Sequence, residues 1–144
     1  MFNKQMNHIG FFMGKVPHGA DLLESLTEFC NEKGITLGRV EALGAVSHGR
    51  IGYYNQDTHK YEYHELDKAM EITNLVGNIS VKDGKSIIHA HITFSDERGS
   101  AFGGHLGQGC KVFACEFVIQ QFEGPQLQRG HDQITDLPLW NEDE

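Results

Sequence analysis

At 144 residues the chain is long enough to bury a core without disulfide or metal staples, and short enough to form one domain. Its 39% hydrophobic and 22% charged residues are ordinary for a globular protein, and 17 glycines with nine phenylalanines favour turns and β structure over a helical bundle. Twelve basic residues stand against twenty acidic ones, a net charge of −8 with no basic run, which argues against a surface built to grip phosphates.

The opening "MFNKQMNHIGFFMGKV" has no long apolar run and no small-residue cleavage site, so neither a signal peptide nor a membrane span is expected. "HIGFFMGKV" predicts a first strand, ended by "PHG". In "ADLLESLTEFCNEKG" the residues Leu22, Leu23, Leu26, Phe29 and Cys30 recur along one helical face. Lys33 suits the last turn, and Gly34 sits where a left-handed cap belongs. "GRVEALGAVSHGRIGYYN" is expected as a glycine-punctuated pair of strands, with Gly44 and Gly49 marking bends. After the turn "NQDT", "HKYEYHEL" suits a half-exposed strand. "MEITNLVGNISV" and "SIIHAHITFSD" flank the hairpin signal "KDGK". "ERGSAFGGHLGQG" is a glycine-rich connection, and "CKVFACEFVIQQF" is the most apolar strand.

Residues 1–123 are expected to form the domain. Residues 124–144 are expected as a C-terminal tail docked through Leu137, Leu139 and Trp140, its last acidic residues fraying. One early amphipathic helix followed by many antiparallel strands places the chain in the α+β class. Cys30, Cys110 and Cys115 are odd in number and lack zinc-ligand spacing, which suits reduced thiols in the cytoplasm.

The chemistry concentrates in "IIHAHITF". Side chains alternate along a strand, so Ile88, Ala90, Ile92 and Phe94 form an apolar face toward the core. Ile87, His89, His91 and Thr93 form the other face. The two imidazoles stand about 7 Å apart at their Cα atoms, close enough to share one ion. A solvent-exposed strand is the plain alternative for such a pair. His105 shifts the balance, because Gly103 and Gly104 before it remove side-chain bulk and permit φ > 0, letting the backbone turn a third imidazole toward the pair. Three neutral imidazoles leave a coordination position open, as in catalytic or ligand-binding zinc, where bound water can lose a proton near neutral pH.

Glu116 interrupts an apolar run, sharing strand parity with Val112, Ala114 and Val118. Buried, it would need a partner: the metal, a metal-bound water, a histidine N–H, Arg39 or Arg50. It is the candidate base or outer support of the site, with an ion pair at a subunit interface as the alternative. His8, His18, His59, His64 and His131 fall in turns, exposed strands or the tail and are expected to be solvated. His48 could line a pocket.

Taken in order, "KVPHGADLLESLTEFCNEKGI", "GRVEALGAVSHGRIGYYN", "YEYHEL", "MEITNLVGNIS", "DGKSIIHAHITF" and "GGHLGQGCKVFACEFVI" resemble the PPC (plant and prokaryote conserved) domain in its stand-alone prokaryotic form. The resemblance runs from about Ile9 to Phe122. It implies a domain dominated by antiparallel sheet with short flanking helices, assembled as a homotrimer. It also implies that His89, His91 and His105 bind a divalent metal, usually zinc, and it brings a DNA-binding label from plant members that carry an AT-hook. This chain has no AT-hook: "HGRIG" lacks the first arginine and the proline.

A cupin barrel is the rival, through Gly84, His89, His91, Glu97 and Gly104. Its spacing slips before His89 and before Glu97, and the early helix does not fit it. Two classes of function follow. One is a metal site taking a small ligand or water, with or without catalysis. The other is a DNA-associated binding module in which the metal is structural or incidental.

Overall fold

The structure is a computed structural model and describes residues 1–141. The chain forms β1 (Asn7–Val16), α1 (Leu22–Lys33), β2 (Gly38–Asn55), β3 (Lys60–Leu66), β4 (Met70–Lys82), β5 (Lys85–Ser95), β6 (Ala101–Leu106), β7 (Lys111–Glu123), β8 (Arg129–His131) and β9 (Pro138–Trp140). The main sheet is antiparallel in the order β1-β7-β2-β4-β5-β6, with β3 on β2, and β8 and β9 pair as a small hairpin.

The helix forms as its sequence predicts. Asp21 caps it by accepting the Glu24 backbone N–H at 3.0 Å, and Gly34, at φ 66°, ends it in the left-handed region. Its buried stripe of Leu22, Leu26 and Cys30 packs into the core shared with Ile88, Ala90, Ile92 and Phe94 of β5. Asn31 pins the helix to the sheet. Its amide donates to the Ser86 carbonyl and its side-chain oxygen accepts the Ser86 N–H, while the Ser86 hydroxyl donates to the Ile35 carbonyl. The apolar face of β5 is therefore committed to the helix side, and the histidine face is turned away from it.

Two expectations change. The predicted strand pair around Gly44 is a single 18-residue strand, β2. Gly44, at φ 142°, bends the strand without reversing it, and a Cβ there would strike the Ala114 carbonyl. The bend lets Gly38–Val46 pair with β4 and β7, while the far half pairs with β3 and meets β6 at Ile51 and Gly52. Pairing of β6 with both β5 and β2 closes the β2–β4–β5–β6 ring.

The second change concerns the short flanking helices, which are absent among the described residues: α1 is the only helix. The connections are short turns such as Asp83–Gly84, with no apolar stripe for a helix to bury, and half of the glycine-rich connection pairs as β6. No helix of the described residues is long and apolar enough to cross a membrane, which says nothing of strand-built barrels.

Candidate metal centre

Burial along β5 alternates as the sequence predicts. Ser86, Ile88, Ala90, Ile92 and Phe94 are buried, His89 is half-buried and His91 is exposed. His105 reaches them from β6, where it stands directly opposite His91 in the antiparallel register and so points to the same side of the sheet. The glycines before it act differently from expectation. Neither Gly103 nor Gly104 has a positive φ; both lie in regular strand. A Cβ on Gly104 would lie 2.7 Å from the Gly52 carbonyl oxygen, so its bareness lets β6 approach β2 and complete the ring.

The three rings form a compact triangle, with centroids 5.5 Å apart for His89 and His91, 5.2 Å for His89 and His105, and 5.8 Å for His91 and His105. One ring nitrogen from each lies within 4.8 Å of the others. Tetrahedral zinc with bonds of about 2.0–2.1 Å would draw these nitrogens to about 3.3 Å, a modest rotation of each ring.

The Nδ1 atom of His105 is buried without a hydrogen-bond partner. A buried polar atom left unmatched costs free energy, and a ring nitrogen in that state is an available metal ligand. Burial first, then His89, His91 and Arg129, push His105 down to about 4. Burial, Arg129 and His91 likewise lower His89. Both rings are thus neutral at pH 7, the form that coordinates metal. The donor set fits a divalent ion such as zinc.

The surroundings of the cluster come from segments whose spelling carries little site signal. Tyr61 of β3 packs on His105 with centroids 4.7 Å apart, and burial raises its hydroxyl above the ordinary tyrosine value. Arg129 of β8 donates to Ser80 Oγ, Asn78 Oδ1 and the Pro138 carbonyl at 2.7–2.8 Å, with its guanidinium 5.6 Å from the Trp140 ring. Asn78 is the cross-strand partner of His89, which brings Arg129 beside the cluster.

Sequence reasoning assigned no role to Tyr61, Asn78 or Arg129. The one available signal was a lone arginine in a tail that otherwise looked irregular. That tail is fastened chiefly by polar bonds: the Arg129 set, Tyr54 to the Thr135 carbonyl, and the Val81 N–H to Leu127. Leu137 is half-buried, while Leu139 and Trp140 keep 40% and 36% of their surface exposed. The acidic end expected to fray lies outside the described residues.

Glu116 is not brought to the histidines. It is exposed, opposite Lys15 of β1 and Leu43 of β2, and it lines a separate groove with Met13 and Thr73. The reason is a register shift in β7 against β2 between Val112 and Ala114, which leaves Phe113 and Ala114 both exposed. Beyond it Cys115, Phe117 and Ile119 take the core face, and Glu116 faces out. Arg39 and Arg50, its suggested partners, pair instead with Glu41 and Glu65.

His48 binds Glu65 at 2.8 Å and Asp67 at 3.3 Å, and its Glu65 hydrogen bond raises it above the ordinary histidine value. His8, His18, His59, His64 and His131 are exposed. Glu97, required by a cupin arrangement, sits in the exposed turn before β6 beside Arg98. The three cysteines are buried and unpaired. Burial pushes Cys30 up to about 12 and Cys110 and Cys115 to about 11, so all are protonated at neutral pH.

Comparison with known proteins agrees with this architecture. A metal-containing protein of Archaeoglobus fulgidus has a solved structure 37% identical in sequence, with a TM-score of 0.94 over 99% of this chain and 100% of that one. A plant- and prokaryote-conserved (PPC) protein of Pyrococcus horikoshii is 30% identical, with a TM-score of 0.92 over 100% and 99%. A candidate DNA-binding protein of Bacteroides thetaiotaomicron is 27% identical, with a TM-score of 0.87 over 98% and 99%. The chain is also 29% identical over 119 residues to a Synechococcus protein named bifunctional protein GlmU; it spans only 18% of that protein's length. The profile of the Plants and Prokaryotes Conserved (PCC) domain matches residues 4–123, and the chain belongs to that family.

Proposed function

We propose that this protein holds one divalent metal ion, zinc by its donor chemistry, between His89, His91 and His105, and offers that ion to a small ligand or water. The observation that carries the reading is the triangle of imidazoles, in which His105 also has a buried, unpartnered Nδ1. The similarity to a metal-containing protein at 37% identity supports it. When bound, such an ion supplies a Lewis acid with a coordination position that protein side chains leave open. The chain's own residues do the rest. His89 and His105 stay neutral through burial, Tyr61 packs against the His105 ring, and Asn78 and Arg129 border His89.

Metal analysis of purified wild type and of His91→Ala tests the reading. His91 is exposed, so its truncation leaves the fold intact. Wild type is expected to carry about one ion per chain and the variant little. Equal content in both removes the site.

The assembly belongs to the same proposal. Phe11 and Met13 of β1, Leu43 of β2 and Phe113 of β7 are exposed to 58% or more, an apolar group of the kind that marks protein contacts. Together with the family resemblance this supports a homotrimer, which light scattering coupled to gel filtration would measure. Buried, protonated thiols suit a cytoplasmic location.

The second reading is a DNA-associated module, supported by the similarity to a candidate DNA-binding protein. The net charge of −8 is against a phosphate-dominated mode. Duplex binding that weakens steeply over a salt series would favour this second reading.

A further inference from the structure

The groove that meets the histidines has a chemistry of its own. It encloses about 850 Å³, within the range of small-molecule sites, and His89 and His91 lie on its wall. Leu37, Val76, Ile79, Leu127 and Trp140 make much of the remainder apolar. In a chain with twenty acidic residues, no Asp or Glu lines this groove among the described residues; its charged lining residues are Lys4 and Arg39, the latter already paired with Glu41.

Arg129 stands just behind this lining, against its residues Asn78 and Trp140, and adds to that asymmetry. Its guanidinium is half-buried, yet its three hydrogen-bond acceptors, Ser80, Asn78 and the Pro138 carbonyl, are all neutral. No carboxylate among the described residues pairs with it. Three of its five N–H donors are used, which leaves one on each terminal nitrogen, a pair suited to the two oxygens of a carboxylate. A half-buried cation without a counter-ion is costly, and an anion from outside would relieve it.

We propose that the ligand of this site is a small organic carboxylate with an apolar body, its carboxylate held between the metal and Arg129 and its hydrocarbon part lying along Val76, Ile79, Leu127 and Trp140. The inference rests on the metal reading above. Asn78 joins the two anchors, because it holds Arg129 through its side chain and faces His89 across the β4–β5 ladder. The apolar wall explains why a bare inorganic anion would leave most of the groove unused.

The test uses the full chain loaded with cobalt(II), whose visible spectrum reports its ligands. Phenylacetate is titrated in, with phenylacetamide as the uncharged counterpart, into wild type, Arg129→Gln and Arg129→Lys. Saturable spectral change with phenylacetate and none with the amide is expected. Binding should weaken about tenfold or more in Arg129→Gln and be partly restored in Arg129→Lys, since a charge-assisted hydrogen bond is at stake.

A cobalt spectrum that ignores phenylacetate, or responds equally to the amide, overturns this inference and leaves the metal site standing. That comparison needs no variant, so it survives a loss of folding in Arg129→Gln. Unchanged affinity in a folded Arg129→Gln also overturns it, and leaves Arg129 as a fastener of the tail. Failure of wild type to bind cobalt through the histidines overturns the metal reading and this one with it.

Discussion

Replacing His105 with leucine separates what the cluster costs the fold from what it binds. In metal-free protein the Nδ1 of His105 is a buried polar atom with no partner, a situation that costs about 1–3 kcal/mol. Leucine has similar bulk and removes that penalty. Against it stands the ring contact with Tyr61 at 4.7 Å, worth about 0.5–1.5 kcal/mol and only partly kept by leucine. The metal-free variant should therefore be more stable than wild type by about 1 kcal/mol, or roughly 2–4 °C in Tm.

With zinc at about 100 times its Kd, wild type gains about 2.7 kcal/mol and the variant little, so the order reverses. Urea denaturation with chelator and with zinc measures both. A variant that is less stable in chelator, or an order that does not reverse, refutes the reasoning.

The pH dependence has a definite sign. The folded value of about 4 lies below the ordinary histidine value of 6.5, so between those limits the unfolded chain takes up a proton that the folded chain refuses. Metal-free wild type should lose stability as pH falls from 6.5 toward 4, and His105→Leu should lose less over the same window.

Three further outcomes follow from particular contacts. Gly104→Ala places a Cβ 2.7 Å from the Gly52 carbonyl, backbone against backbone, and should cost about 1–3 kcal/mol while weakening zinc binding by displacing its neighbour His105. Zinc titration and denaturation check both effects, and a variant of wild-type stability would mean that β6 tolerates the shift. Asp21→Ala removes the cap accepted from Glu24 and a second bond from the Gly109 N–H, so a loss of about 1–2 kcal/mol is expected in urea denaturation. Glu116→Gln, on an exposed face away from the cluster, should leave zinc content unchanged and stability within about 0.5 kcal/mol. Loss of zinc in that variant would bring the carboxylate back into the site.

Local features of this chain were written plainly in its residues. The helix from Leu22 to Lys33 and its C-terminal cap follow from a 3.6-residue stripe and Gly34, both of which act within a few residues of themselves, whereas the Asp21 cap emerged only in the structure. The two faces of β5 follow from strict alternation, which is why the orientation of His89 and His91 could be read without coordinates. His105 was legible as a companion but for a different reason than its glycines suggested: cross-strand register delivers it, and close packing on Gly52 accounts for Gly104.

What only tertiary structure decided depends on parity and on distance along the chain. A single register shift at Phe113 moved Glu116 from a supposed interior face to the surface, and one bend at Gly44 made a single strand of an apparent pair. Arg129 and Tyr61 come from segments remote from the histidines, and nothing in their own neighbourhoods encodes where they land. Alternation and helical pitch are local rules that a sequence states directly. Strand pairing sums small steps over the whole chain, so one inserted residue reverses every face beyond it.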